Sequence, residues 1–165
     1  MKLSIARTLG AVLLIMSVSS VEAGGLMVVD PWVRSAPPNA PALAAFMMLK
    51  NHSDSDISIV DVRTSLELDH VELHRTMMAD GMMKMVPQEF IPVASNSSTE
   101  LKPGSWHIML IGPKQVPMAG EIVHLTLVLS DGSEQMVAAT VRQGEMKMDG
   151  HSHDMEGHSH EMKAD

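Results

Sequence analysis

His70-Val71-Glu72-Leu73-His74-Arg75-Thr76-Met77-Met78-Ala79-Asp80-Gly81-Met82-Met83-Lys84-Met85-Val86 is the stretch that decides the fold. Two apolar-rich runs flank Asp80-Gly81, a dipeptide suited to a two-residue type I′ turn, whose central positions both need positive φ. The stretch therefore predicts a β-hairpin with strands His70 to Met78 and Met82 to Val86. The turn also sets the register: Ala79 faces Met82, and counting outward puts His74 opposite Pro87. Met85 is then the diagonal cross-strand neighbour of His74 on the same face, within reach for long side chains. A slip of one residue would turn Met85 away.

The same pattern continues on both sides of the hairpin. Short apolar runs predict strands at Met27 to Arg34, Ala44 to Lys50, Ile57 to Thr64, Trp106 to Ile111, Glu121 to Leu129 and Gln135 to Arg142. Between them stand Pro37-Pro38-Asn39, Asn51-His52-Ser53-Asp54, Asn96-Ser97-Ser98, Lys102-Pro103-Gly104 and Asp131-Gly132-Ser133, all rich in residues that reverse a chain. No long amphipathic helix is evident. With the hairpin this makes eight strands in about 115 residues, which fits an all-β Greek-key sandwich or barrel. Only Phe46, Phe90, Trp32 and Trp106 are aromatic, so Val, Leu, Ile, Ala and Met must fill the core.

The two ends of the chain read differently from this middle. Lys2 and Arg7, the apolar run Leu9 to Val18 and the small-residue site Val21-Glu22-Ala23 make residues 1–23 a secretory signal. The apolar run is shorter than the roughly 20 residues a membrane span needs, so the expectation is a soluble protein exported to a Gram-negative periplasm. No Cys stands at the cleavage site, which argues against a lipid anchor. Residues 24–142 then form one domain. Loss of Lys2, Arg7 and Glu22 would take the net charge from −8 to −9, a balance that argues against nucleic acid and anionic membrane as partners and favours cations. Residues 143–165 read as a flexible tail in which Gly150-His151-Ser152-His153-Asp154-Met155 is echoed by Gly157-His158-Ser159-His160-Glu161-Met162.

Chemistry enters with His74, Met85, His107 and Met109, spaced His-x10-Met-x21-His-x-Met. Thioether sulfur suits Cu(I) far better than magnesium, calcium or zinc, so the set points to copper. With 17 Met and 9 His in 165 residues, chance gives this spacing about five times in a thousand. His107 and Met109 are i and i+2 on one strand and share a face, while Trp106, Ile108 and Leu110 take the other. Two strand regions thus offer one His and one Met each, and their faces are expected to converge at an edge or mouth of the sandwich. The chain has no cysteine, which removes disulfides, thiol redox chemistry and a blue-copper electron-transfer site.

Other candidates divide by position. An inward Met is adaptable packing, whereas Met82 and Met83, at an exposed hairpin tip, are candidates for auxiliary copper capture. His52, His70 and His124 read as surface or hydrogen-bonded histidines. In the tail, His151, His153, His158 and His160 offer nitrogen ligands suited to Cu(II), and Met146, Met148, Met155 and Met162 offer thioethers. A flexible segment of that length spans about 26 Å, enough to reach back to the domain. The functional classes left open are a copper carrier, a periplasmic copper storage or tolerance protein, a copper enzyme component, and an adhesion sandwich.

Several of these pieces together resemble a known family. Asp30-Pro31-Trp32-Val33-Arg34, Pro37-Pro38, Ala44-Ala45-Phe46-Met47, Val71-Glu72-Leu73-His74 and Leu101-Lys102-Pro103-Gly104-Ser105-Trp106-His107-Ile108-Met109-Leu110 are similar to segments of the PCuAC periplasmic copper chaperones. The resemblance covers most of residues 27–142. It implies a cupredoxin-like fold and Cu(I) held by His74, Met85, His107 and Met109; because thioether ligation favours stable Cu(I) over redox cycling, no enzymatic activity is expected. It further implies delivery to a copper-accepting protein such as the dinuclear copper centre of cytochrome oxidase subunit II, with a thioredoxin-like assembly partner. The His- and Met-rich extension is implied to take a second copper, as Cu(II).

Overall fold

A computed structural model describes residues 25–79 and 81–144. The signal segment, Asp80 and the tail repeat lie outside the described residues. Ten strands follow in chain order: β1 Leu26–Arg34, β2 Ala42–Asn51, β3 Ile57–Thr64, β4 His70–Ala79, β5 Met82–Gln88, β6 Ile91–Val93, β7 Ser97–Leu101, β8 Trp106–Ile111, β9 Ile122–Leu129 and β10 Glu134–Arg142. The described residues include no helix.

The strands form one sheet in the order β5-β4-β8-β7-β2-β1-β10-β9-β3-β6, with β8 also bonded to β2. Pairing is antiparallel except for β1 with β10 and β7 with β8. The sheet curls so that β3 comes against β4 and β6 against β7. Strand alternation decides what lies inside. Leu43, Ala45, Met47 and Leu49 of β2, Leu73 of β4, Ile108 and Leu110 of β8, and Leu125, Leu127 and Leu129 of β9 share a single buried core. Fully burying such side chains stabilises by about 1.5–3 kcal/mol each.

Two of the ten strands differ from expectation. β7 begins at Ser97, within a stretch that reads as a turn, because its sequence Ser-Ser-Thr-Glu-Leu is polar. Only Leu101 reaches the core, and β7 is held through its backbone pairing with β2. β6 has three residues with Pro92 at its centre, and it pairs only with β3 at the end of the sheet. Proline is tolerated there because an edge strand has one side without ladder bonds.

β1 is one strand but not a straight one. Its register with β2 shifts between Val29 and Trp32, and Asp30 has φ 48°. This bulge absorbs Pro31 and reverses the alternation, so Leu26 and Val33 both face the core. Trp32 is thereby placed on the opposite face, against Phe46 at a ring-centroid distance of 4.6 Å. That outer face carries the candidate site.

The hairpin has the anticipated register: Ala79 faces Met82, Thr76 faces Met85, and His74 faces Pro87. Gly81 has φ 74°, and a Cβ there would meet no atom within 4 Å. Gly81→Ala should therefore cost only its backbone strain, about 1 kcal/mol, read as a lowered urea midpoint with an unchanged slope.

Candidate metal centre

Three neighbouring strands bring the four motif residues to one sheet face. β8 is bonded to β4 with His74 opposite His107 and Glu72 opposite Met109, while β5 on the far side of β4 sets Met85 opposite Thr76. Met109 in turn faces Ala44 of β2. The four residues thus lie across adjacent rungs of one outer face, rather than on two faces meeting at a sandwich mouth. The reason is connectivity: β8, distant in sequence, inserts beside β4 instead of across the core from it.

The two imidazoles are the buried end of the group. His74 is 9% exposed and His107 3%, and their ring centroids lie 5.6 Å apart in an edge-on arrangement. Phe46 stands 6.3 Å from the His107 ring. Met109 is half-buried, and Met85 is 64% exposed. A cavity of about 230 Å³ opens between them, lined by Arg34, Ala36, Ala42, Ala44, Phe46, Thr76, Met85, His107 and Met109, among others. His74 lies beside this cavity, against His107. Small side chains at Ala42 and Ala44 leave room over β2. A larger groove of about 630 Å³, lined by Ser65, Leu66, Gln115 and Glu121 among others, has no imidazole or thioether.

Hydrogen bonding fixes which nitrogen of each ring is free. His107 Nδ1 donates to the Ser105 carbonyl at 3.0 Å, leaving the Nε2 lone pair bare. His74 Nε2 donates to the Glu72 carboxylate at 2.6 Å, leaving Nδ1 bare. Both bare nitrogens are buried without a partner, as is the Thr76 hydroxyl. The contrast with Asn51, also buried, is instructive: its amide nitrogen donates to Ser55 and Val93 carbonyls, and its oxygen accepts from Ser53. Buried polar groups without partners cost about 1–3 kcal/mol each and are uncommon. Two such nitrogens on neighbouring rings, with the Met85 and Met109 thioethers on the same sheet face, are donors of the chemical type that suits a soft ion.

Sequence reading missed the supports of these rings. Glu72 accepts from both His74 and, at 3.0 Å, His70. Those hydrogen bonds, from His74 first, hold its carboxyl below the usual carboxylate range. Carboxylate orientation of a ligating histidine is a common arrangement around metals, and Glu72 two residues before His74 was the available signal. Ser105 acts through its backbone, which no sequence pattern displays. The turn that presents it runs Lys102-Pro103-Gly104-Ser105, with Ser105 N–H donating to the Lys102 carbonyl and Gly104 at φ 79°. Pro at the second position and Gly at the third are what a type II turn requires. The Ser105 carbonyl also accepts from Thr76 N–H, so one oxygen ties β4 to the His107 ring. Burial pushes the His107 pKa down, partly offset by its hydrogen bond to Ser105 and reinforced by nearby His74.

The remaining candidates separate cleanly. Met78 and Met83 are cross-strand partners on the site face, whereas Met77 and Met82 take the reverse face of the hairpin. Met82 is therefore not aligned with the site. This follows from strand alternation, since tip exposure says nothing about side. His52, His70 and His124 are exposed, His70 with its bond to Glu72. The tail residues His151, His153, His158, His160, Met146, Met148, Met155 and Met162 lie outside the described residues.

The LpqE-like family model, described as a candidate lipoprotein family, matches residues 26–141, more than half of the chain. A candidate lipoprotein of Leifsonia xyli subsp. xyli is 34% identical over 122 residues, covering 73% of this chain and 72% of that protein. An uncharacterized protein of Rickettsia prowazekii is 28% identical over 117 residues, covering 68% of this chain and 64% of that protein. Among solved structures, the Cu(I) form of DR1885 from Deinococcus radiodurans is 35% identical with a TM-score of 0.54, covering 74% of this chain and 83% of that one. The copper-bound PCuAC domain of PmoF2 superposes with a TM-score of 0.62 at 20% identity, covering 73% and 95%. By family match and by fold, the chain belongs to the LpqE-like family and is built as a cupredoxin-like PCuAC domain.

Proposed function

We propose that this protein is a carrier of Cu(I), bound as cargo by His74, Met85, His107 and Met109 and passed on to another copper protein. The observation that carries the reading is the pair of buried imidazoles, each with one nitrogen held by a hydrogen bond and the other bare. With metal–nitrogen bonds of about 2.0–2.1 Å, two rings on one ion stand about 5–6 Å apart, and these stand 5.6 Å apart. The similarity to the Cu(I) form of DR1885 supports the choice of ion.

The donor set also favours carriage over catalysis. Cu(I) is d10 and accepts irregular three- or four-coordinate mixtures of thioether and imidazole without strain. Neutral sulfur ligands favour that oxidation state over redox cycling. Thioethers can leave one at a time without taking up protons, so the ion can be handed over by ligand exchange. The export signal in residues 1–23 and the lipoprotein relatives support action outside the cytoplasm, in the periplasm. The acceptor we favour is the dinuclear copper centre of cytochrome oxidase subunit II, reached with a thioredoxin-like assembly protein. The tail, residues 143–165, takes a second copper as Cu(II) through His151, His153, His158 and His160, with its methionines serving Cu(I).

His74→Ala and Met109→Leu should each weaken Cu(I) binding while the far-UV spectrum stays unchanged. Glu72→Gln should weaken it too, by about tenfold or more, the range seen when outer-shell partners of metal ligands are removed. Competition with a chromogenic chelator measures all three, and unaltered affinity in the variant lacking all four ligands would overturn the assignment.

Acid should release the ion, because a proton and Cu(I) compete for the bare Nε2 of His107. Burial lowers the pKa of that ring, so competition at His107 begins below the ordinary imidazole value of about 6.5. Affinity should hold from pH 8 to about 6.5 at this ligand and fall beneath it; chelator competition across that range reads the profile.

Truncation after Arg142 should abolish Cu(II) binding and leave one tightly bound Cu(I) per chain. Metal analysis by oxidation state on both forms tests this, and tight Cu(II) binding by the truncated form would remove the tail's assigned role.

A further inference from the structure

The site face of the hairpin continues beyond Met85 toward the tip. Met78 and Met83 are direct cross-strand partners there, 66% and 59% exposed. Direct partners in an antiparallel pair have Cα atoms about 4.5–5.5 Å apart, close enough for two thioethers to meet on one ion. Met85 is two residues from Met83 and diagonal to Met78. By the same ladder it is diagonal to His74. Diagonal neighbours lie about 7–8 Å apart, still within reach of long side chains. Met85 thus stands midway between an exposed thioether pair and the buried histidines.

Packing does not explain the pair. β5 ends the sheet order and is an edge strand, where exposed apolar side chains invite association with other chains. A solvent-facing strand is better served by Thr or another β-branched residue. Every large exposed apolar side chain on this hairpin is instead methionine: Met77, Met78, Met82, Met83 and Met85. Sulfur, rather than hydrophobicity, is what these positions have in common.

We propose that Met78 and Met83 form a second, weaker Cu(I) site that captures the ion and feeds it through Met85 to the histidine pair. This rests on the carrier reading above. Transfer is ligand exchange throughout. A Cu–S bond to Met85 forms as the bond to Met78 breaks, and a bond to His74 Nδ1 forms as the bond to Met83 breaks. Copper remains Cu(I), no electron moves, and no proton is released because the receiving nitrogen is already bare.

The test uses the full chain with methyl-labelled methionine, Ag(I) as a silent stand-in for Cu(I), and stopped-flow transfer of Cu(I) from a coloured chelator complex. The first Ag(I) equivalent should shift the Met85 and Met109 methyls, and further Ag(I) should shift those of Met78 and Met83. Paired substitution Met78→Leu and Met83→Leu should slow Cu(I) uptake about tenfold, the low end of the range over which contact variants change association rates. The reverse-face pair Met77→Leu and Met82→Leu should leave the rate at the wild-type value.

Silent Met78 and Met83 methyls, an unchanged uptake rate in the first variant, or equal slowing by the reverse-face pair would each overturn the capture site. Failure of the carrier reading looks different: the Met85 and Met109 methyls would then stay unshifted in the wild-type chain at every Ag(I) ratio. A first variant that still ends with one bound Cu(I) but fills slowly supports the proposal and shows that the variant is folded.

Discussion

The antiparallel pairing of β4 with β8 in a single register is what the rest of the site depends on. It sets His74 opposite His107 and Glu72 opposite Met109, and strand alternation does the rest. Leu73, Ile108 and Leu110 face inward and are buried. A one-residue slip would turn these core side chains to solvent and the imidazoles inward. At about 1.5–3 kcal/mol per buried apolar side chain, that is comparable with the whole stability of an ordinary domain. Core packing thus holds the ligand geometry without any contribution from a metal. The Ser105 carbonyl adds a second lock, since it bonds both the Thr76 backbone and the His107 ring.

Stability and function pull against each other at the same two rings. Each bare nitrogen is a buried acceptor without a donor, and satisfying it with a neighbouring hydroxyl or amide would make a more stable protein. The fold does so at Asn51 and does not at His74 or His107. Glu72 and Ser105 satisfy one nitrogen of each ring, which fixes the tautomer and leaves the lone pair of the other nitrogen bare. Small residues on β2 and the bulge in β1 serve the same end from below. They clear space beside Met109 and place Trp32 against Phe46, which lies next to His107.

Much of this was legible in the sequence, for identifiable reasons. Asp80-Gly81 is a strong local signal, so the hairpin and its register follow from the turn. Alternation at Trp106 to Leu110 separates ligand positions from core positions. β7 was hidden because its pairing is made by backbone groups beneath polar side chains, and β6 because three residues around a proline carry no period. The bulge at Asp30 was hidden within an apolar run that reads as a single strand. That β8 neighbours β4 is a property of long-range topology, and no spacing within the chain encodes it. Glu72 was visible as a carboxylate near a histidine, but its choice of Nε2 depends on side-chain geometry.

The gradient of exposure across the donor set gives the proposed carrier its direction. Met85 is largely open to solvent, Met109 is half-buried, and His74 and His107 are buried. An acceptor approaching this face meets sulfur first. Displacing an uncharged thioether requires no proton, whereas the two imidazoles are buried. In the proposed carrier, exchange would therefore begin at the exposed thioether, with the two buried rings as the last ligands to give up the ion. A site with all four donors buried would hold copper more securely and release it poorly; one with all four exposed would lose it to any competing ligand. One sheet face that carries two buried imidazoles, one half-buried thioether and one exposed thioether lies between those limits.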